Sequence, residues 1–305
     1  MPASVWVKTK RMRIFVTGSG GQLARCLAEQ AISQKQLEIF CAGRPDFDLL
    51  HPSTLQSIVI AAKPDIIVNA AAYTEVDKAE SEPDLAFAIN RDGAAEMARI
   101  ASHMNIPIIQ ISTDYVFSGQ KIGAYLETDE TGPLSVYGKS KLEGEIAVRS
   151  ITSRHAILRT SWVYSPFGNN FVKTMLRLAK DRKSLNVVAD QIGCPTSAHD
   201  LATTIVKIGQ TLLQDETKAG TFHTVGHGAA SWSEFASEIF RLLKQNGQEV
   251  PIVNPIPTAE YPTPAKRPVN SVLNCKKLKE TFGIEMPLWQ NSLMDCMARL
   301  LRGET

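Results

Sequence analysis

The sequence RIFVTGSGGQLA, residues 13–24, decides the fold of this chain. Residues 14–17 are apolar or β-branched, which is typical of a short buried strand. Glycines follow at positions 18, 20 and 21, and an apolar pattern typical of a helix comes next. A strand, a glycine-rich turn and a helix in this order predict a dinucleotide site. Glycines let the backbone approach a pyrophosphate, and the helix N-terminus favours its charge.

Two registers of the glycine motif fit this turn. We prefer G-x-x-G-x-x-A, formed by Gly18, Gly21 and Ala24. An ordinary turn between a strand and a helix is the alternative reading of the same residues. The strand before the turn and the helix after it favour the nucleotide site.

A second strand is expected at Leu37–Ala42, and Gly43 and Arg44 follow it. Folds that prefer NAD usually carry an acidic residue at this point, which holds the ribose hydroxyls. A small residue followed by a guanidinium suits a 2′-phosphate better. The sequence therefore favours NADPH, with NADH as the alternative. Asp48 and Leu49 lie further along, where the adenine could contact the chain.

Further strand and helix patterns alternate along the chain. Strands are expected at residues 66–74, 106–111, 156–160 and 221–225, and helices at 83–89, 94–103, 137–148 and 199–213. We expect Asn90 to open the helix that contains residues 94–103. Fully apolar strands fit a parallel sheet that is covered on both faces. The chain is therefore expected to be α/β, with a Rossmann-like doubly wound parallel sheet.

The pattern changes after residue 165. An amphipathic helix is expected at Phe171–Ala179, a short strand at residues 185–188, and a helix start at Ser231, Ser233 and Glu234. A proline-rich, loop-like stretch follows at residues 251–268. We expect a loose extension at 1–11, a dinucleotide-binding domain at 12–164 to which 199–226 return, and a smaller α/β substrate domain from 165–198 and 227–305.

Tyr137 and Lys141 are four residues apart, so a helix places them on one face. A cation beside a phenol stabilises the phenolate, and a carbonyl that receives a hydride needs such a proton donor. Y-x-x-x-K also occurs in ordinary helices, as a solvated lysine beside a half-buried tyrosine. Thr113 ends the preceding strand pattern and could hydrogen-bond the same substrate oxygen. Trp162 follows the next strand, where an indole is either a platform for a sugar ring or part of the core.

Composition narrows the class of protein. A net charge of +2 without a basic stripe does not indicate a nucleic-acid partner. The five cysteines are odd in number and far apart, which fits a reducing cytoplasm. No apolar run is long enough to span a membrane, and residues 1–11 lack the apolar core of a secretory signal. The histidines show no H-E-x-x-H pattern, so we expect no catalytic metal.

Taken together, these motifs resemble the extended short-chain dehydrogenase/reductase superfamily. Within it, the chain is similar to the dTDP-4-dehydrorhamnose reductase family from about residue 12 to about residue 300. The glycine motif, STDYVF at 112–117, Y-x-x-x-K at 137–141 and RTSWVY at 159–164 carry the broader resemblance. The narrower one rests on residues 69–80, 169–179 and 259–274.

The resemblance implies a reaction and a role for particular residues. NADPH would reduce the C4 keto group of dTDP-4-dehydro-L-rhamnose to give dTDP-L-rhamnose, a precursor for polysaccharide biosynthesis. Tyr137 would donate the proton, Lys141 would hold the nicotinamide ribose and lower the pKa of the tyrosine, and Thr113 would bond the keto oxygen. Asp114 and Trp162 would contact the sugar. The residues expected to contact the cofactor are Gly18, Gly20, Gly21, Gln22, Leu23, Arg44, Asp48, Leu49, Ala70, Ala71, Ala72, Tyr137 and Lys141.

The chain departs from the family at three positions. Some members form dimers with magnesium held by glutamates, and the matching positions here are Cys26, His199 and Gln290. None of these is a carboxylate, whereas Mg²⁺ prefers oxygen ligands. We therefore expect no structural magnesium, and either a monomer or a weak homodimer.

Two other functions remain open on the sequence. The chain could be another sugar-nucleotide reductase or an epimerase on the same fold, and an epimerase would retain its nucleotide tightly. It could also be a non-catalytic regulatory subunit that resembles the one of methionine adenosyltransferase. That role does not require Thr113, Tyr137, Lys141 and Trp162, all of which are present.

Overall fold

A computed structural model of the chain describes residues 11–304. The predicted extension at residues 1–11 lies outside the described residues, except for Arg11. The strands are Met12–Thr17 (β1), Leu37–Ala42 (β2), Ile66–Asn69 (β3), Ile108–Thr113 (β4), His155–Thr160 (β5), Val163–Tyr164 (β6), Ser184–Val188 (β7), Ile192–Gly193 (β8), Thr196–Ser197 (β9), Gly220–His223 (β10), Ala230–Ser231 (β11) and Ile252–Ile256 (β12).

The helices alternate with these strands over most of the chain. They are Gln22–Ser33 (α1), Pro52–Ala62 (α2), Val76–Ala79 (α3), Pro83–Phe87 (α4), Ala94–His103 (α5), Val136–Ile151 (α6), Phe171–Ala179 (α7), Ala198–Gln214 (α8), Trp232–Gln245 (α9), Lys276–Phe282 (α10) and Trp289–Leu301 (α11). None of the helices within residues 11–304 is both long and apolar enough to cross a membrane.

A six-stranded parallel sheet forms the centre of the molecule, in the order β10-β5-β4-β3-β1-β2. This confirms the α/β fold class. From β1 the chain passes to β2 on one side and then to β3 on the other, so the direction of winding reverses at β1. Open parallel sheets bind their ligands at the carboxyl ends of the strands beside such a reversal. The glycine-rich turn lies at that point.

Both faces of the sheet are covered, as fully apolar strands require. Successive side chains of a strand point to opposite faces, and β1 shows this directly. Ile14 and Val16 pack in a core with α1, α8 and α10, whereas Phe15 packs with α2 and α5. Val148 of α6 also belongs to the second core.

A separate core lies among α7, α9 and α11. Three two-stranded sheets accompany it, which pair β12 with β7, β11 with β8, and β6 with β9. Ser231 begins α9 with a capping box. Its hydroxyl accepts from the Glu234 amide, and the Glu234 carboxylate accepts from the Ser231 amide. The predicted helix start is thereby confirmed.

Some sequence predictions were wrong in position or kind. Asn90 does not open α5, because it lies inside a π-helical segment, Ala88–Gly93, that joins α4 to α5. The strand expected at 66–74 ends at residue 69. The proline-rich stretch is not all loop, since β12 lies within it and pairs with β7. Proline is tolerated there because a strand of a two-stranded sheet has an unpaired edge.

Candidate functional site

The glycine-rich turn is held close to the end of β3. Gly18 has a φ of +84°, a conformation that favours glycine, and a Cβ on it would lie 3.1 Å from Ala71 Cα. Its amide donates to the Ala42 carbonyl at 2.7 Å. Gly20 and Gly21 are exposed, and a Cβ on Gly20 would meet nothing within 4 Å. Open backbone at a helix N-terminus suits a pyrophosphate.

The end of β2 lies against the same turn. A Cβ on Gly43 would lie 2.5 Å from Ser19 Oγ and 2.9 Å from Ser19 N, so the close approach requires glycine. Arg44 is exposed beside it. Asp48 accepts from the Leu50 amide at 3.0 Å, and Leu49 is buried against Gly93. The residues at this end therefore fit the adenosine half of a dinucleotide, with a guanidinium free for a phosphate.

Gln22 and Leu23 begin α1, but their side chains point away from the turn. The Gln22 amide group donates to the Val163 carbonyl at 3.3 Å and accepts from Ser165 Oγ at 2.8 Å and Asn170 Nδ2 at 2.9 Å. Leu23 is buried in the core beside α8. These two residues can therefore contact a pyrophosphate only through their backbone amides, not through their side chains.

A chain of buried polar groups crosses the carboxyl ends of β1, β3 and β4. Thr17 Oγ1 donates to Asn69 Oδ1 at 2.7 Å, and Asn69 Nδ2 donates to Gln110 Oε1 at 2.7 Å. Gln110 Nε2 in turn donates to the Ile111 carbonyl at 3.0 Å. Thr17 Oγ1 also accepts from the Ala71 amide at 2.9 Å. This chain fixes Ala70, Ala71 and Ala72, which are partly exposed beside Gly18.

Lys141 joins the same chain. Its ammonium is buried and donates to the Ile111 carbonyl at 2.6 Å. Burial lowers the pKa of Lys141 to about 8, and the carboxylate of Glu145 opposes that shift. The lysine is thus anchored at the carboxyl end of β4, directly beside Ser112 and Thr113.

Tyr137, Thr113 and Asp114 meet at that strand end. The Thr113 hydroxyl donates to Asp114 Oδ1 at 3.1 Å, and it lies beside the Tyr137 phenol. The ring of Tyr115 packs edge-on against the Tyr137 ring, with centroids 5.7 Å apart. A phenol and a hydroxyl that lie side by side can both donate hydrogen bonds to the same substrate oxygen.

The pKa of Tyr137 differs from the expectation. Burial raises it to about 12, the Asp114 carboxyl adds to the rise, and the neighbouring Thr113 hydroxyl opposes it. The Lys141 ammonium is directed at a carbonyl oxygen and does not offset the effect of burial on the phenol's pKa. Burial likewise raises the pKa of Asp114 to about 6.

Asn90 is a site residue that the sequence did not reveal. Its side chain accepts from the Tyr73 amide at 2.9 Å and donates to the Tyr73 carbonyl at 3.1 Å and to Ser140 Oγ at 2.9 Å. Ser140 Oγ also donates to the Tyr137 carbonyl at 2.9 Å. Asn90 therefore fixes the segment after β3 to the first turns of α6. A lone asparagine in an apolar helical pattern was the only available signal.

Helix α6 sits close to its neighbours because of two glycines. A Cβ on Gly138 would lie 2.3 Å from the Tyr115 carbonyl oxygen, and a Cβ on Gly144 would lie 2.2 Å from the Asn90 carbonyl oxygen. Ser135 caps the helix by accepting from the Gly138 amide at 3.1 Å. These contacts set the distance of Tyr137 from the end of β4.

Trp162 follows β5 two residues after Thr160, which pairs with Thr113. Its φ of +47° is unusual for a residue with a side chain. The indole stacks on Trp232 with centroids 3.5 Å apart, and a Cβ on Gly193 would lie 2.5 Å from it. The ring is half-buried, so it belongs in part to the aromatic core and leaves one portion accessible.

The three positions that carry glutamates in some family members lie on α1, α8 and α11. Cys26 is buried, and burial raises its pKa to about 12. The His199 ring lies 3.4 Å from Gln30 Nε2, and Gln290 is exposed. Within residues 11–304, no three His, Cys, Asp or Glu side chains are grouped to hold a metal ion.

Comparison with known proteins identifies the family. The profile of the family described as RmlD substrate binding domain matches residues 12–302. The dTDP-4-dehydrorhamnose reductase of Sinorhizobium fredii is 52% identical over 297 residues, which cover 96% of this chain and 99% of the relative.

Solved structures agree with this assignment. A dTDP-4-dehydrorhamnose reductase from Clostridium acetobutylicum is 41% identical, with a TM-score of 0.88 over 95% of this chain and 100% of that one. The corresponding enzyme from Bacillus anthracis, solved in complex with NADP, is 37% identical, with a TM-score of 0.88 over 95% and 99% of the two chains. The chain described here, with its parallel sheet and its glycine-rich turn, belongs to the RmlD substrate binding domain family.

Proposed function

We propose that this chain reduces the C4 keto group of dTDP-4-dehydro-L-rhamnose with NADPH, giving dTDP-L-rhamnose. One observation carries the proposal. The hydroxyls of Thr113 and Tyr137 lie side by side at the carboxyl end of β4, beside a buried lysine. The similarity to reductases of this substrate supports the choice of sugar.

Each group at the strand end has a part in the reaction. When bound, the cofactor supplies a hydride to C4 of the sugar, and the electron pair of the C4–O π bond moves to oxygen. Thr113 and Tyr137 donate hydrogen bonds to that oxygen as its charge develops. Tyr137 then transfers its proton to the alkoxide, which completes the hydroxyl. A raised pKa keeps the phenol protonated until an alkoxide is present to accept the proton.

The chain's own residues also suit the cofactor. Gly20 offers open backbone for the pyrophosphate, Gly18 and Gly21 form the tight turn that presents it, and Ala70–Ala72 line the neighbouring edge. Lys141 is placed to hold the nicotinamide ribose through its ammonium. Arg44, exposed at the end of β2, suits a 2′-phosphate and favours NADPH over NADH.

The sugar is proposed to lie between Asp114 and Trp162. Asp114 is buried at the end of β4, between Thr113 and Ser271, and its carboxyl is proposed to face a sugar hydroxyl. Trp162 offers an apolar surface to the sugar ring.

The test is an assay of NADPH and NADH oxidation with enzymatically made dTDP-4-dehydro-L-rhamnose. We expect turnover with this sugar, faster with NADPH than with NADH. Its isomer dTDP-4-dehydro-6-deoxy-D-xylo-hexulose should be a poor substrate. Equal turnover of the two isomers, or nucleotide that stays bound through purification as in an epimerase, would contradict the proposal.

A further inference from the structure

Glu145 is a third functional side chain on the helix face that carries Tyr137 and Lys141. It follows Lys141 by four residues, as Lys141 follows Tyr137, so the three lie on successive turns of α6. The side chain of Glu145 is 0% exposed. A buried carboxylate is costly unless other groups compensate its charge. Its partners therefore decide whether it is ionised.

Three polar groups hold the Glu145 carboxylate. Arg159 of β5 donates from Nε to Oε1 at 2.9 Å and from Nη2 to Oε2 at 2.8 Å. Ser112 of β4 donates from Oγ to Oε1 at 2.5 Å, and Arg149 contacts Oε2 at 3.3 Å. A bidentate guanidinium and a hydroxyl donor are the partners that a buried carboxylate needs, and with Arg159 it forms a buried ion pair. Glu145 is therefore a fixed negative charge inside the protein.

That charge lies next to Lys141 in two ways. The two residues are one turn apart on α6, and their side chains bond adjacent residues of β4, Ile111 and Ser112. A carboxylate one helical turn away favours the ammonium and opposes the effect of burial on the pKa of Lys141. The other titratable groups that face this region are Tyr137 and Arg149 on α6, Asp114 after β4, Arg159 on β5 and His223 on β10.

We infer that Glu145 is a positioning residue for the reaction, whose buried carboxylate keeps Lys141 in the charged ammonium form that the cofactor's ribose requires. The inference rests on the proposed function, because that proposal gives Lys141 its role. Arg159 and Ser112 then act one step further away, since they keep the carboxylate ionised. The functional face of α6 therefore carries three groups, the phenol of Tyr137, the ammonium of Lys141 and the carboxylate of Glu145. The sequence had revealed only the first two.

A purely structural role for the pair of Glu145 and Arg159 makes a different prediction. As a link between α6 and β5, the pair would affect stability and leave the charge of Lys141 unchanged. As a positioning residue, Glu145 sets the pH at which Lys141 loses its proton. The pH dependence of NADPH binding separates the two roles.

The experiment measures the dissociation constant for NADPH by its fluorescence, without sugar, from pH 6 to pH 10. In the unaltered protein we expect the affinity for NADPH to fall as the pH rises through about 8, where Lys141 loses its proton. We call this falling part of the pH profile the limb. Glu145→Gln should move that limb down by about one pH unit, which is about fivefold weaker binding at pH 8. Glu145→Asp keeps the charge and should return the limb to within a few tenths of a unit of the original.

A second variant covers the case in which Glu145→Gln leaves Arg159 unpaired and the protein does not fold. The double variant Glu145→Gln/Arg159→Gln removes both charges, which buried pairs often tolerate. It should show a smaller downward shift than Glu145→Gln, because loss of the Arg159 charge by itself favours the ammonium. A folded variant without Glu145 whose limb stays in place, or a Glu145→Asp limb that shifts as far as that of Glu145→Gln, would overturn the inference.

Lys141→Met separates failure of the inference from failure of the proposed function. The limb should vanish in this variant. If it persists, the proposed role of Lys141 is wrong and the inference falls with it. If it vanishes but does not respond to Glu145→Gln, only the role of Glu145 is wrong. Neither outcome depends on which sugar the protein reduces, because no sugar is present.

Discussion

Tyr137 shows how surroundings set the chemistry of a single residue. Burial and the Asp114 carboxyl hold the proton on the phenol, and the neighbouring Thr113 hydroxyl opposes them. Spacing alone predicted that Lys141 and Tyr137 share a helix face. It could not predict that the ammonium bonds the Ile111 carbonyl, because that contact depends on how α6 sits against β4.

Replacement of Tyr137 by Phe tests the proton donor. The variant keeps the ring and its edge-on contact with Tyr115 but has no proton to give. We expect turnover of the 4-keto sugar nucleotide to fall by about 10²- to 10⁴-fold, with NADPH still bound. Steady-state assays and NADPH fluorescence measure the two effects. Tyr261→Phe, at an exposed tyrosine, is the matched control. Unchanged turnover in Tyr137→Phe would refute the assigned role.

His223 is predicted to make the protein less stable in acid. It is fully buried, and burial together with the nearby Arg159 lowers its pKa from 6.5 to about 3. Between these pH values the unfolded chain binds a proton that the folded chain does not. Its contribution to stability is therefore complete above pH 6.5 and is lost as pH falls towards 3, at about 1.4 kcal/mol per pH unit.

Denaturant unfolding between pH 4 and pH 7 measures this effect. In His223→Gln the slope of the unfolding free energy against pH should be shallower by up to about 1.4 kcal/mol per pH unit. The variant His103→Gln, at an exposed histidine, should keep the slope of the unaltered protein. Equal slopes in all three proteins would show that His223 does not titrate as described.

Among the elements, those with clear periodicity were predicted best. The strand at Leu37–Ala42 and the helix at Phe171–Ala179 have the predicted bounds. The strand expected at 106–111 begins and ends two residues later, at Ile108–Thr113, which brings Thr113 into the sheet. The local spacing of apolar residues predicts such elements well, because a strand or a helix must bury its apolar face or faces.

Other elements depend on partners that are distant in the chain. β12 contains Pro255, and it forms a strand because β7 lies beside it in parallel register. The π-helical segment around Asn90 follows from the bonds of that side chain to Tyr73 and Ser140. The site was predictable where it lies at strand ends, as for Thr113. Asn90 and Glu145 were not predictable, because only tertiary contacts give them a role.

Gly144 is predicted to set how closely α6 packs on the π-helical segment. A Cβ there would lie 2.2 Å from the backbone oxygen of Asn90, which cannot move without shifting the helix. Gly144→Ala should therefore destabilise the protein by about 1–3 kcal/mol despite the better helix propensity of alanine. Denaturant unfolding measures it, with the exposed Lys139→Ala on the same helix as control. A more stable Gly144→Ala would contradict the packing described for α6.

At the scale of the whole molecule, the fold class was fully predictable and the assembly was not. Alternating apolar strands and helices require a sheet that is covered on both faces, and the six parallel strands agree. The oligomeric state depends on surface residues, and these residues form no periodic pattern in the sequence. The prediction of a monomer or weak homodimer rests on the residues at positions 26, 199 and 290 alone.

Removal of divalent metal tests that prediction. Cys26, His199 and Gln290 offer no carboxylate, so EDTA should change neither the mass in solution nor the turnover. Light scattering after size exclusion and the NADPH assay measure the two quantities. The turnover of the Lys141→Met variant, which is expected to be low, gives the background rate of the NADPH assay. A loss of mass or activity that Mg²⁺ restores would show that these positions bind the ion in another way.

The late position of α8 and β10 in the chain has a consequence for synthesis. α8 supplies much of the core on one face of the sheet, including Leu201, Ile205 and Ile208, and β10 forms the sheet's edge beside β5. A nascent chain that ends at residue 164 therefore exposes an apolar sheet face and an unpaired strand. The six-stranded sheet cannot be completed on the ribosome until residue 223 has emerged, by which time α7 has been made but its core partners α9 and α11 have not. A chain cut after residue 164 should therefore lack the strand and the helix that complete the sheet and cover one of its faces.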